Sequence, residues 1–395
     1  MAEKREIVVV SGVRTAIGDY GATLKDFAPT DLAARVAKEA VARAKLDPAE
    51  IGHVVFGNII HTEPKDMYLS RVAMISAGIP KETPALTLNR LCGSGFQAII
   101  TAANAIQLGD ADAALAGGAE SMSRALYSMP AMRWGARMAD AKVIDMMVGS
   151  LTDPFDTVHM GVTAENVATR HGINRADQDA FAVESHKRAA AATAAGHFKS
   201  QILPIEIQSR KGVVVFDKDE HFRGDVTVEG LGKLKPAFKK DGTVTPGNAS
   251  GINDAAAAVV VMDAKMAERK GLKPLARFVA YAYAGVDPAY MGEGPIPAVT
   301  KVLEKAGLKL QDMDVIEANE AFAAQALAVS RKLGFDPAKT NPNGGAVALG
   351  HPIGATGTII TVKALYELQR TGKKYALITM CIGGGQGIAG IFERL

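Results

Sequence analysis

Val54-Val55-Phe56-Gly57-Asn58 and Val315-Ile316-Glu317-Ala318-Asn319 decide the fold. Each is a short β-branched run that stops at a turn residue, which reads as a strand covered on both faces. Working outward, the same succession follows each of them. After Asn58 come Cys92 at a distance of 34 residues, a helix over Gly95–Leu108 with Gly109 as its C-cap, and Ala113-Ala114-Leu115-Ala116 running into Gly117-Gly118. After Asn319 come His351 at 32 residues, a Gly-rich turn and helix over Gly350–Leu368, and Ala376-Leu377-Ile378-Thr379 running on to Gly383-Gly384-Gly385. The strand Ile7–Val10 and a helix over Asp31–Ala44, with Thr30 as N-cap, precede the first set. The strand Ala276–Ala282 and a helix over Ala298–Ala306 precede the second. Short strands alternating with Ala-rich helices indicate an α/β protein with mixed or parallel sheets. The recurring order indicates two duplicated halves. The first covers 1–121 and is completed by about 252–273; the second covers 274–395. Residues 122–251 differ in character. They hold a Met-rich run (Met129, Met132, Met138, Met146, Met147), a long helix near Ala176–Ala195 and a hydrophilic stretch over Ser209–Gly247. This segment reads as an insertion folded over the core, and such insertions carry binding.

The composition narrows the class. The chain has 395 residues, 48% hydrophobic and 22% charged, with a formal charge of +3. A disordered protein and one built mainly to grip nucleic acid are excluded. Two cysteines exclude a secreted disulfide scaffold. No run approaches the ~18 apolar residues of a spanning helix, and the opening MAEKREIVVVSG lacks the apolar core of a signal peptide. The expectation is a cytoplasmic protein with no membrane partner.

The chemistry-bearing residues lie at the repeat's turns. Cys92 sits in Asn89-Arg90-Leu91-Cys92-Gly93-Ser94-Gly95 before a helix, whose N-terminal field favours a thiolate. A lone cysteine is more often a small buried hydrophobe; the flanking glycines argue for the nucleophile. The same stretch fits Gly-x-Gly-x-x-Ala, but Asn89 and Arg90 interrupt the strand that a dinucleotide fingerprint needs, and Gly385-x-Gly387-x-x-Gly390 ends too close to the C-terminus. His351, in Gly350-His351-Pro352-Ile353-Gly354, is the natural base for a thiol. The repeat places it opposite Cys92, so two helix N-termini would converge. Cys381 opens Cys381-Ile382-Gly383-Gly384-Gly385, a turn whose N–H groups suit an oxyanion. Asn319 ends the matching strand at the same level, where a turn or N-cap role is the alternative. No metal-ligand spacing is present.

These segments, NRLCGSGFQA, EANEAFAAQA, GHPIGATG and CIGGGQG in that order, resemble the thiolase family of acetyl-CoA C-acetyltransferases and β-ketothiolases. SGVRTAIG, HMGVTAEN (159–166), GNASGINDAAAA (247–258) and MGEGPIPA (291–298) extend the resemblance along the whole chain. It implies an α/β thiolase fold, a five-layered αβαβα core of two halves with an inserted loop domain, as a homotetramer. It implies a ping-pong Claisen condensation of acetyl-CoA to acetoacetyl-CoA, reversible as thiolysis of 3-ketoacyl-CoA, with coenzyme A thioesters as substrates and no cofactor or metal. Cys92 would carry the acyl group, His351 would activate it, and Cys381 would exchange the α-proton. The N–H groups of Cys92 and Gly383 would hold the acyl-enzyme oxyanion. Asn319, through a water, and His351 would hold the enolate oxygen. Each developing charge needs donors of its own. Arg223 matches a nucleotide contact and Ser250 a pantetheine contact, while Leu151, His159, Met160, Phe238, Met291, Ala321 and Phe322 match the pocket lining. Lys233, Lys235, Lys239 and Lys240, with Arg210, Lys211 and Arg223, form a basic stretch suited to phosphates. Gly230 and Pro246 depart from the Ser and Ala that family members often carry.

Three rivals are weighed. A ketoacyl synthase lacks the second cysteine that this chain has in CIGG. A catalytically inactive acyl-CoA or lipid-binding module would have lost catalytic positions, and here all persist. A metal protein finds no support in two isolated cysteines. Within the family the chain most resembles bacterial broad-specificity β-ketothiolases of polyhydroxyalkanoate producers, through Asn58–Leu69, Arg133–Met138 and the C-terminal ITMCIGGGQGIAGIFERL.

Overall fold

The computed structural model describes residues 5–209 and 212–395, the Ser209 side chain apart. Nine strands make the body of one sheet: β1 (Ile7–Thr15), β2 (His53–Gly57), β3 (Ala85–Leu88), β4 (Ala113–Ser121), β5 (Asn253–Asp263), β6 (Ala276–Gly285), β7 (Val315–Ala318), β8 (Tyr375–Ile382) and β9 (Gln386–Glu393). Their spatial order is β7-β8-β9-β6-β1-β5-β4-β2-β3. The two ends repeat each other outward from the centre. β1 pairs antiparallel with β5, β5 antiparallel with β4, and β4 parallel with β2. Likewise β6 pairs antiparallel with β9, β9 antiparallel with β8, and β8 parallel with β7. Even the edges correspond: β2 carries parallel β3, and Ile316 of β7 carries a parallel bridge to Thr340. Only Val8↔Arg277 and Val9↔Ala276 join β1 to β6.

Helices separate and cover these half-sheets. They are α1 (Pro29–Ala44), α2 (Ser94–Leu108), α3 (Met160–Arg170), α4 (Arg175–Ala194), α5 (Pro295–Ala306), α6 (Ala323–Leu333) and α7 (Thr356–Thr371). In α1, Leu32, Val36 and Ala40 recur at helical spacing and are buried against Val8, Val13, Leu115 and Val260 of the first half-sheet. Val299 and Val302 of α5 cover the second half-sheet at Ala280, Leu377 and Ile391. Between the half-sheets lie α2 and α7, whose Phe96, Ile99, Val362 and Leu365 meet Val55 and Ala116 on one side and Ile378 and Phe392 on the other. The layering is therefore helix, sheet, helix, sheet, helix. The helix before the first repeat begins at Pro29, with Ala28 as N-cap and no side-chain cap, so Thr30 lies inside its first turn. Proline at N1 needs no N–H and starts the helix two residues earlier than a threonine cap would.

The N-termini of α2 and α7 touch through backbone. A Cβ on Gly95 would lie 2.8 Å from the Thr358 nitrogen, and one on Gly357 would lie 2.3 Å from the Phe96 nitrogen. Thr358 Oγ1 donates to the Gly95 carbonyl at 3.0 Å. This contact brings the Cys92 and His351 turns to one place. Residues 122–251 form α3, α4 and small two-stranded pieces such as Ile205–Ser209 with Gly212–Phe216. Among the described residues, no helix is long and apolar enough to cross a membrane.

Candidate active site

Cys92 stands on a tight turn between β3 and α2. Asn89 Oδ1 accepts the Leu91 N–H at 2.8 Å, Ser94 Oγ accepts the Arg90 N–H at 2.8 Å, and Ser94 Oγ donates to the Leu91 carbonyl at 2.7 Å. These bonds hold Leu91 at φ 44°, a left-handed conformation that costs a branched residue about 1–3 kcal/mol. Cys92 is half-buried and lines a cavity. Burial pushes its thiol up to about 11, while the N–H groups of Gly383 and of Cys92 itself pull it down and the Glu120 charge adds to the rise. Desolvation therefore outweighs the helix N-terminus, and the resting group is a thiol, contrary to the sequence expectation.

His351 lines the same cavity as Cys92. Thr356 Oγ1 lies 2.7 Å from His351 Nδ1 and 3.0 Å from the Pro352 carbonyl. When the Thr356 hydrogen goes to the Pro352 carbonyl, the imidazole proton sits on Nδ1 and Nε2 is a bare acceptor. Burial lowers this histidine to about 4, which leaves it neutral near pH 7. Asn319 Nδ2 points at Nε2 from 3.4 Å, and Asn253 Oδ1 accepts the His351 N–H at 2.9 Å.

Cys381 ends β8 among Met160, Met291, Ala321 and Phe322. Burial pushes its thiol far up, and Cys92 adds to the rise. Gly383 follows in the hairpin to β9, which Gly384 and Gly385 close at φ 78° and 83°.

A cavity of about 520 Å³ joins these groups. Every sequence-predicted site residue lines it except Asn319, which lies behind His351, and Arg223. The His159 ring stacks on Phe238 with centroids 4.6 Å apart, and its Nδ1 accepts the Gly161 N–H at 3.0 Å. The end of the inserted segment docks here, with the Ser250 N–H on the Ala321 carbonyl at 3.0 Å. Arg223 lies at a second cavity, of about 440 Å³, beside His186, Thr227 and Gly230. His221 and Pro246 line both cavities and mark where they meet. Of the described residues of the basic stretch, Arg223 lines this second cavity. Lys233 pairs with Glu229 at 2.9 Å, and Lys239 donates to Asn166 at 2.9 Å. Lys235 and Lys240 are exposed, and Arg210 and Lys211 fall outside the described residues. Among the described residues, no cluster of His, Cys, Asp or Glu is arranged to hold a metal ion.

Two family models match nearly end to end: thiolase, N-terminal domain, over residues 7–265, and thiolase, C-terminal domain, over residues 272–394. This chain is a thiolase. It is 64% identical over 392 residues to the β-ketothiolase BktB of Cupriavidus necator, covering 99% of this chain and 100% of that one. The crystal structure of the Bacillus anthracis acetyl-CoA acetyltransferase superposes with a TM-score of 0.98 at 45% identity, covering 100% of both chains. The human mitochondrial 3-ketoacyl-CoA thiolase in complex with CoA superposes at 0.96 with 47% identity, over 100% of this chain and 99% of that one.

The thiolase site also contains groups that sequence reasoning passed over. Thr356 holds the His351 ring at Nδ1, and Asn253 fixes its backbone. Glu120, wholly buried at the end of β4, had one legible signal: a charge closing the apolar run Ala113–Ala119. Chemically, the arrangement offers a protected thiol, a neutral base beside it, a second thiol across the cavity and N–H groups between them.

Proposed function

We propose that this thiolase joins two acyl-CoA thioesters by Claisen condensation, acetyl-CoA giving acetoacetyl-CoA and free CoA, and runs the reverse thiolysis. The observation that carries the reading is the opening of Cys92, Cys381 and His351 onto one cavity, with the Gly383 N–H toward the Cys92 sulfur. Cys92 gives its proton to His351 Nε2 and attacks the thioester carbon. The N–H groups of Cys92 and Gly383 take the oxyanion, and CoA leaves with the proton. A second acyl-CoA enters the same channel, so the kinetics are ping-pong. Cys381 first passes its proton to His351 Nε2. The Cys381 thiolate then takes the α-proton, and Asn319 and the protonated His351 hold the enolate oxygen. The carbanion attacks the acyl carbon and displaces the Cys92 thiolate, which recovers its proton from His351. The order suits the electrostatics. An acylated Cys92 cannot ionise, so no second thiolate opposes that of Cys381 when the base is needed.

The pantetheine arm lies along Leu151, His159, Phe238 and Ser250, and the nucleotide reaches Arg223. CoA thioesters are substrates here, and no resident cofactor is required. The enzyme works in the cytoplasm as a homotetramer. Met160 and Met291 in the acyl end adapt in shape, and one methylene is worth only about 1–3 kcal/mol in such a pocket, so propionyl-CoA is accepted as well. Initial rates of condensation test both levels. Product from acetyl-CoA alone is expected, and its absence would refute the enzyme reading. Propionyl-CoA with acetyl-CoA should react within about a hundredfold of that rate; a slower reaction would restrict the enzyme to acetyl groups.

A further inference from the structure

Glu120 has no part in the chemistry above, yet it touches both the His351 turn and the loop behind Cys92. Its side chain is fully buried. Oε1 accepts Asn58 Nδ2 and the Ile60 N–H, each at 3.0 Å. Oε2 accepts the Ile59 N–H at 3.2 Å and the Gly354 N–H at 2.9 Å. Ile59 and Ile60 follow β2 in the first half, and Gly354 belongs to the His351 turn in the second. Ile59, Ile60 and Ile353 pack in one cluster with Cys92. One carboxylate therefore pins both loops that wall the nucleophile. Four donors converge on it, the pattern of an ionised group, while burial with Asp66 nearby pushes the carboxyl up to about 8, so its charge is complete in the alkaline range where Cys92 ionises. The titratable groups around this pair of sites are Asp66 and Cys92 facing Glu120, and Cys381 and His351 facing Cys92 across the cavity.

We propose that Glu120 is a positioning residue: its charged carboxylate joins the loop behind Cys92 to the turn bearing His351 and so sets the nucleophile against its base. The inference rests on Cys92 and His351 acting as proposed above. It gives the carboxylate two separable effects, one through geometry and one through charge. Glu120→Gln removes the charge and sets an NH₂ against at least one N–H donor. Glu120→Asp keeps the charge but shortens the reach.

Steady-state thiolysis and mass-spectrometric mapping of iodoacetamide alkylation at Cys92 across pH separate the effects. Both variants should lose roughly ten- to a hundredfold in kcat, the size of a small misplacement of reacting groups, with KM for the acyl-CoA nearly unchanged. The alkylation profile of Glu120→Gln should move to lower pH, and that of Glu120→Asp should stay with the parent. Parent-like kcat in both variants, an unmoved profile in Glu120→Gln, or a shifted one in Glu120→Asp would overturn the proposal. If Glu120→Gln does not fold, Glu120→Asp decides: lost kcat with an unmoved profile supports it, and parent-like kcat overturns it. Failure of the underlying reading would show differently, as a parent protein that never acetylates at Cys92.

Discussion

The Thr356 hydroxyl has one hydrogen, and where it goes determines what His351 can do. Given to the Pro352 carbonyl, it obliges the imidazole to donate from Nδ1 and leaves Nε2 unprotonated toward the cavity. The pKa directions agree with that role. A thiol raised to about 11 is almost wholly protonated near pH 7, and a histidine lowered to about 4 is almost wholly neutral. Nucleophile and base thus rest uncharged, and charge appears only when a proton passes between them. His351→Ala should therefore slow alkylation of Cys92 near neutrality by about tenfold or more and move its profile to higher pH. Unchanged iodoacetamide kinetics would remove His351 from the activation step.

At the scale of elements, the decisive contact is between the α2 and α7 N-termini. Gly357→Ala would set a methyl 2.3 Å from the Phe96 nitrogen. Overpacking of this kind costs about 1–3 kcal/mol, so the denaturation midpoint should fall, and turnover should fall with it because both catalytic turns ride on these helices. A midpoint equal to the parent's would show that the helices separate freely. The repeat that builds this contact was legible because matched strands end at matched residues, Asn58 and Asn319. The match of Gly117-Gly118 to Gly383-Gly384 did not hold, since β4 runs on through Gly117-Gly118 to Ser121. The first helix's start was less so, since Pro29 and Thr30 are both good starting residues. The protonation of Cys92 was not legible. A helix N-terminus can be read along the chain, but the desolvation that overrides it comes from residues distant in sequence, Met160 and Ile353 among them. Glu120 was hidden for the same reason, its partners lying 60 to 234 residues away.

Across the whole molecule, duplication supplies two turns facing one another, and the inserted segment supplies the walls of a channel over them. The same insertion leaves Trp134 82% and Met138 92% exposed, beside exposed Tyr127, Met132 and Val143. Apolar exposure on this scale marks a contact surface, and it supports the homotetramer proposed above. Trp134→Ser with Met138→Ser should lower the mass seen by light scattering while each subunit stays folded. An unchanged mass would place the interface elsewhere.

The central claim is a division of labour between two cysteines, Cys92 accepting the acyl group and Cys381 moving the proton. Mass spectrometry of the Cys381→Ala variant after exposure to acetyl-CoA tests it most directly. The account predicts one acetyl group on Cys92, accumulating because the second half-reaction lacks its base. A folded Cys381→Ala protein that takes up no acetyl group, or takes it up at another residue, would contradict the account.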